Sequence, residues 1–197
     1  MNKAEQMNTL MNDNNGYLLT SDVTALGISK TYLSEYVKKH NLKRICQGVY
    51  ASDDVWIDEL YITYVRNKRI IYSGETALYI HGLMEREPFK NAVTVCSGYN
   101  ANHLKKIGFD VSYSNSEIWE LGRSLKATHL GNVVSVYDID RTICDLIKNK
   151  DKYDIQVFSY ALNEYMKGKS KNLNSLMKYA KALRIEEKVR MYTEVML

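Results

Sequence analysis

Ser29, Lys30, Thr31, Tyr32, Ser34, Lys38, Lys39, Lys43, Arg44 and Gln47 place ten hydrogen-bond donors or cations within nineteen residues. Such a set can contact a polyphosphate duplex: short hydroxyl and amide groups reach base edges, and ammonium or guanidinium groups neutralise phosphates. Residues 29–50 carry five Lys or Arg against one acid, Glu35, and this balance of +4 equals the formal net charge of the whole 197-residue chain. A second basic group, Lys171, Lys178, Lys181, Arg184 and Lys188, lies near the C-terminus. It forms a candidate ridge for an acidic partner, although lysines on a helix face also serve solubility alone.

The first set needs two helices and a ribbon to hold it. Thr20 or Ser21 can cap a short helix carrying Val23 and Leu26, Gly27 can stop it with a positive φ, and Ile28 can plug the turn. Ser29 then caps a second helix, in which Leu33 and Val37 stand four residues apart and face the first helix with Tyr36 on their flank. The opposite face is left to Lys30, Thr31, Ser34 and Lys38, with Tyr32 beside them. Residues 42–46 and 48–51 alternate apolar and polar about Gln47-Gly48, which predicts a two-stranded wing presenting Lys43, Arg44 and Gln47. The spacing therefore predicts a winged helix-turn-helix DNA-binding domain over residues 1–52. One such unit covers one half-site, so two copies are expected on an inverted repeat.

A bridging helix is expected within 53–69, capped by Asp53 or Asp54 and running to about Arg66. Residues 70–197 then form a further domain. Its expected strands are 69–72, 92–96, 109–113, 127–130 and 132–137, with helices from Ser73 to Gly82 and near 100–107. Four helices follow, marked by the stripes Ile143/Leu146/Ile147, Phe158/Ala161/Leu162/Tyr165, Leu173/Leu176/Met177/Ala180/Leu183 and Ile185/Val189/Tyr192/Met196. The fold class is α+β: a winged helix, a mixed α/β domain, and a helical bundle at the C-terminal end.

Other chemistries fail on spacing. Asp138-Ile139-Asp140 has the look of a nucleotidyltransferase carboxylate pair, yet no Gly-Ser phosphate turn precedes it, so both acids read as helix caps. Glu186-Glu187-Lys188 contains the Glu-x-Lys of a nuclease, but at a helix start and with no partner Asp. Four scattered histidines and three unclustered cysteines indicate neither a metal site nor a disulfide framework. No catalytic residue, cofactor or metal is expected. The Asn-rich start has no hydrophobic signal region and no run approaches a membrane span, which predicts a cytoplasmic protein.

Four segments in order, residues 16–50, IIYSGETALYIHGLMEREPF at 70–89, VYDIDRTICDLIKNK at 136–150 and NLNSLMKYAKALRIEEKVRMYTEVML at 172–197, resemble the AbiEi family of antitoxins. Asp140 departs from the pattern, since relatives commonly carry Glu before the Arg-Thr pair; either carboxylate suits a helix start. The resemblance implies a type IV toxin–antitoxin component of abortive phage infection. Its N-terminal domain would repress its own operon by binding inverted repeats in the promoter, and its C-terminal domain would neutralise an AbiEii nucleotidyltransferase toxin. The residues alone leave open a winged-helix regulator whose second domain senses a ligand or dimerises, with no toxin involved.

Overall fold

Asn2 and Glu5 open the first helix by a reciprocal exchange. Asn2 Oδ1 accepts the Glu5 N–H at 2.8 Å and the Glu5 carboxylate accepts the Asn2 N–H at 2.8 Å, which satisfies two donors that the first turn cannot pair internally. This helix, α1 (Lys3–Asp13), was not expected from the Asn-rich sequence. In the computed structural model, which describes residues 1–194, the fold is mixed α+β with two sheets and ends in helices. Met196, expected on the last stripe, lies outside the described residues. The chain forms two units, Met1–Thr63 with His129–Asn132, and Tyr64–Thr128 with Val133 onward.

In the first unit, β1 (Tyr17–Leu19) leads directly into α2 (Thr20–Ala25), followed by α3 (Lys30–Lys39), β2 (Lys43–Cys46) and β3 (Val49–Ala51). Three residues are too few for alternation to reveal β1, whose side chains are all buried. Leu19, not Thr20 or Ser21, occupies the cap position of α2, and the Thr20 N–H, which has no partner within the helix, is given to the Gly48 carbonyl at 2.8 Å. The sheet order is β1-β3-β2, antiparallel throughout, with Tyr17 opposite Ala51 and Leu19 opposite Val49. Gly27, at φ +73°, turns α2 into α3 in a region where an L side chain is strained. Met7, Leu18, Val23, Ile28, Leu33, Tyr36 and Leu42 fill the core.

The bridging helix is shorter than expected: α4 runs Glu59–Arg66. Tyr17 explains the late start, since its hydroxyl accepts the Asp58 N–H at 2.8 Å and donates to the Trp56 carbonyl at 3.1 Å, holding residues 55–58 out of a helix. Asp58 does the capping instead, accepting the Tyr61 N–H at 3.0 Å.

The second unit holds a mixed sheet in the order β6-β5-β4-β8-β7, built from β4 (Ile71–Tyr72), β5 (Ala92–Cys96), β6 (Asp110–Ser114), β7 (Arg123–Ala127) and β8 (Val133–Tyr137). β5 with β6 and β4 with β8 are parallel; the other pairs are antiparallel. β7 ends where the sequence suggested it would begin, so the segment 128–132 is loop. Helices α5 (Gly74–Ile80), α6 (Asn102–Lys106) and α7 (Ser116–Glu120) join the strands, and α8 (Ile139–Lys148), α9 (Ile155–Lys167), α10 (Leu173–Ala182) and α11 (Glu186–Glu194) close the chain. α8 lies among α5, α9, α10 and α11 and contributes Ile143, Cys144, Leu146 and Ile147 to their common core. Asp138, Asp154 and Asn172 cap α8, α9 and α10 through their side chains.

Candidate nucleic-acid interface

The helix α3 divides into two faces because its apolar residues recur at three- and four-residue intervals. Leu33 and Tyr36 are buried and Val37 half-buried, whereas Lys30, Thr31, Ser34, Lys38 and Lys39 are exposed. Ser29 Oγ accepts the Tyr32 N–H at 3.3 Å, closing the N-terminus and leaving its own hydroxyl proton for an outside acceptor. No acid stands in the first turn, so the positive end of the helix dipole is uncompensated by the helix itself. Tyr32 is half-buried, with the Lys3 ammonium 5.5 Å from its ring centre. Lys3 thereby joins the basic side of α3, a contribution missed in the sequence; the Asn2-x-x-Glu5 capping box is the signal that could have found its helix.

Two residues, Gln47 and Gly48, connect β2 to β3, and a register shift between Arg44 and Cys46 bends the first strand. Lys43, Arg44 and Gln47 are exposed. Lys43 pairs with Asp53 at 3.1 Å, both side chains about two-thirds exposed. An exposed pair of this kind contributes about 0–1 kcal/mol, so an incoming phosphate can displace the carboxylate at small cost. Among the described residues Lys30, Lys38, Lys39 and Arg44 enter no ion pair. The first unit thus gathers all ten residues singled out in the sequence, nine exposed and Tyr32 half-buried, with cations at the end of α3 and along β2.

The second basic group is less uniform. Lys178, Lys181, Arg184 and Lys188 are exposed on or beside α10 and α11, but Lys171 is half-buried and donates to the Met166 carbonyl. Its ammonium thereby caps the C-terminal end of α9.

The acids of the 138–140 segment are engaged in the fold. Asp138 accepts the Arg141 N–H at 2.8 Å and the Tyr179 hydroxyl at 2.6 Å. Asp140, expected from its position to be a cap as well, is instead buried in the first turn of α8, where it accepts the Tyr165 hydroxyl at 2.7 Å and the Asn172 N–H at 2.9 Å. Burial raises its carboxyl above the ordinary range; the Asn172 N–H and the Tyr165 hydroxyl oppose that shift, and the nearby Asp138 charge adds to it weakly. Arg141 is buried too, bonded to Asp145 at 3.1 Å and to the carbonyls of Ile118 and Leu121 at 2.8 and 2.6 Å. Among the described residues no group of three or more His, Cys, Asp or Glu could hold a metal ion, and no helix is long and apolar enough to cross a membrane.

No family model matches the chain, and no curated protein matches it in sequence. Among solved structures, the fold is similar to that of the RV2827C protein from Mycobacterium tuberculosis, with a TM-score of 0.53 over 92% of this chain and 75% of the other, at 10% identity.

Proposed function

We propose that the chain is an antitoxin and autorepressor of the AbiEi type, whose first unit is a winged helix-turn-helix that binds inverted repeats in promoter DNA. The observation that carries this reading is the division of α3, which has a buried stripe of Leu33 and Tyr36 and an exposed face of Lys30, Thr31, Ser34 and Lys38 behind a Ser29 cap. A major groove admits one helix, whose hydroxyls can read base edges while its terminal lysines hold phosphates. In this reading β2 and β3 are the wing, and Arg44, Gln47 and a released Lys43 touch the backbone or minor groove.

The test is binding to the native upstream fragment and to a random duplex across a salt series. Lys38→Ala or Lys43→Ala should weaken both and flatten the log–log salt slope by about 0.9 for each phosphate that is no longer neutralised. Thr31→Ala or Ser34→Ala should instead narrow the preference for the native fragment, by about 1–3 kcal/mol where a base edge is read. Equal losses on both duplexes from all four variants would refute these roles, and no affinity for the upstream fragment would refute the reading.

Neutralisation of a nucleotidyltransferase toxin is assigned in this proposal to the second unit, with Lys178, Lys181, Arg184 and Lys188 as its basic surface and Lys171 in a capping role. Charge reversal at Lys178, Lys181 and Arg184 should abolish protection when the chain is co-expressed with the neighbouring gene. Intact protection would discard that surface. A second reading, a regulator that senses a ligand and has no toxin partner, is favoured by a concave site in the second unit.

A further inference from the structure

That concave site, of about 760 Å³, lies wholly within the second unit and is lined by residues from five separate stretches of chain. Its size falls in the range of small-molecule sites. Three chemistries meet in it.

Four lysines line it: Lys90 before β5, Lys105 on α6, Lys148 at the end of α8 and Lys152 in the 3-10 turn that follows. All four are exposed, and among the described residues none forms an ion pair. Arg141 also lines the site, but its charge is spent on Asp145. Of the four aromatic rings in the lining, Phe109 and Tyr153 are half-buried and two are exposed beside the lysines. Phe89 is 96% exposed, so nothing among the described residues covers it, and Tyr113 is 46% exposed with the Lys105 ammonium 5.0 Å from its ring centre. The lining also includes three carboxylates: Asp145 is paired with Arg141, while Glu75 and Asp110 would repel a bare anion but can accept hydrogen bonds from sugar hydroxyls.

Lysines alone would suit any anion, and aromatic rings alone any apolar group. The three together match a ligand that carries negative charge, a flat π-face and hydroxyl donors in one small molecule. We propose that this cleft binds a nucleoside polyphosphate: Lys90, Lys105, Lys148 and Lys152 attract the phosphates, Phe89 or Tyr113 stacks on the base, and Glu75 or Asp110 receives the ribose hydroxyls. The proposal concerns the second unit alone and requires neither DNA binding nor a toxin.

The full-length chain should be titrated by calorimetry with ATP, GTP, CTP and UTP, with inorganic triphosphate, and with a single-stranded RNA hexamer. At least one nucleotide should bind, and more tightly than inorganic triphosphate. The double variant Lys148→Gln/Lys152→Gln should weaken that nucleotide about tenfold or more. Phe89→Ala with Tyr113→Ala should weaken the nucleotide about threefold or more while leaving inorganic triphosphate unchanged. All these side chains are exposed, and an unaltered thermal melt confirms that each variant folds. Absence of binding at millimolar nucleotide, equal affinity for inorganic triphosphate, or tighter binding of the hexamer would each overturn the assignment. Operator binding by the same variants should match the parent chain, which separates a failure here from a failure of the DNA reading.

Discussion

His81 shows how one side chain can make stability depend on pH. Its Nε2 lies 2.7 Å from the Tyr137 carbonyl, which demands a proton there, and its Nδ1 lies 3.2 Å from the Lys126 ammonium, which demands a lone pair. The two partners fix the neutral tautomer with hydrogen on Nε2. Burial is the main cause lowering the ring below its ordinary 6.5; the Tyr137 carbonyl opposes it, Lys126 reinforces it, and Asp138 opposes it weakly. The unfolded chain takes up the proton near 6.5 and the folded chain only at lower pH. The His81 contribution is therefore complete above 6.5 and is lost as pH falls through the depressed folded value. The urea midpoint should drop on acidification through this window, and His81→Gln should shallow that drop; an unchanged slope would contradict the assignment. Cys144 makes a simpler point, because burial pushes its thiol up to about 12 and its Sγ donates to the Leu176 carbonyl at 3.3 Å. Iodoacetamide should modify half-buried Cys46 and Cys96 in the native protein and Cys144 only after denaturation, as read by mass spectrometry.

Among the elements, α8 carries the most consequence for the second unit. Asp138 caps it and binds Tyr179 of α10, Asp140 binds Tyr165 of α9, and Arg141 ties it to the segment about α7. Gly122 makes room for this arrangement, since a Cβ there would stand 2.5 Å from the Arg141 Cβ. Arg141 also lies over the Tyr137 ring at 4.2 Å. Its replacement by Met would strand the Asp145 carboxylate and two carbonyls, and removal of one partner of a buried ion pair costs about 3–5 kcal/mol. Chemical denaturation of Arg141→Met should show a loss of that order. A loss below about 1 kcal/mol would mean that water replaces the guanidinium.

At the scale of the whole molecule, the chain's connectivity does not follow its units. The segment 129–132, between β7 and β8, belongs with residues 1–63. Asn132 is buried there, donating to Asp58 Oδ2 at 2.8 Å and accepting from Asn15 at 3.1 Å, while the other Asp58 oxygen caps α4. Asn132→Ala should destabilise the first unit by about 1–3 kcal/mol, because a buried acceptor loses a donor. Hydrogen exchange should accelerate around Tyr17 and Asp58, although the substitution lies 74 residues from Asp58. Protection unchanged at both places would show the bond to be dispensable.

Local signals determined much of the molecule. The stripes of α8, α9 and α10, the Gly27 turn, the Ser29 cap and the Gln47-Gly48 connection each depend on residues a few positions apart, and their spacing is written in the chain. The ten residues of the candidate interface were legible for the same reason, since α3, β2 and their turn are contiguous. Only tertiary structure decided features that need distant partners. Tyr17 delays α4 by holding residues 55–58, Asn132 draws the end of the 128–132 loop into the first unit, Asp140 becomes a buried acceptor rather than a helix cap, and Arg141 becomes a buried hub. Lys90, Lys105, Lys148 and Lys152 likewise form one group only because β5, α6 and α8 converge. Hydrogen bonding and burial act through space, so a carboxylate's role follows from which donors the fold brings to it and not from its neighbours in sequence.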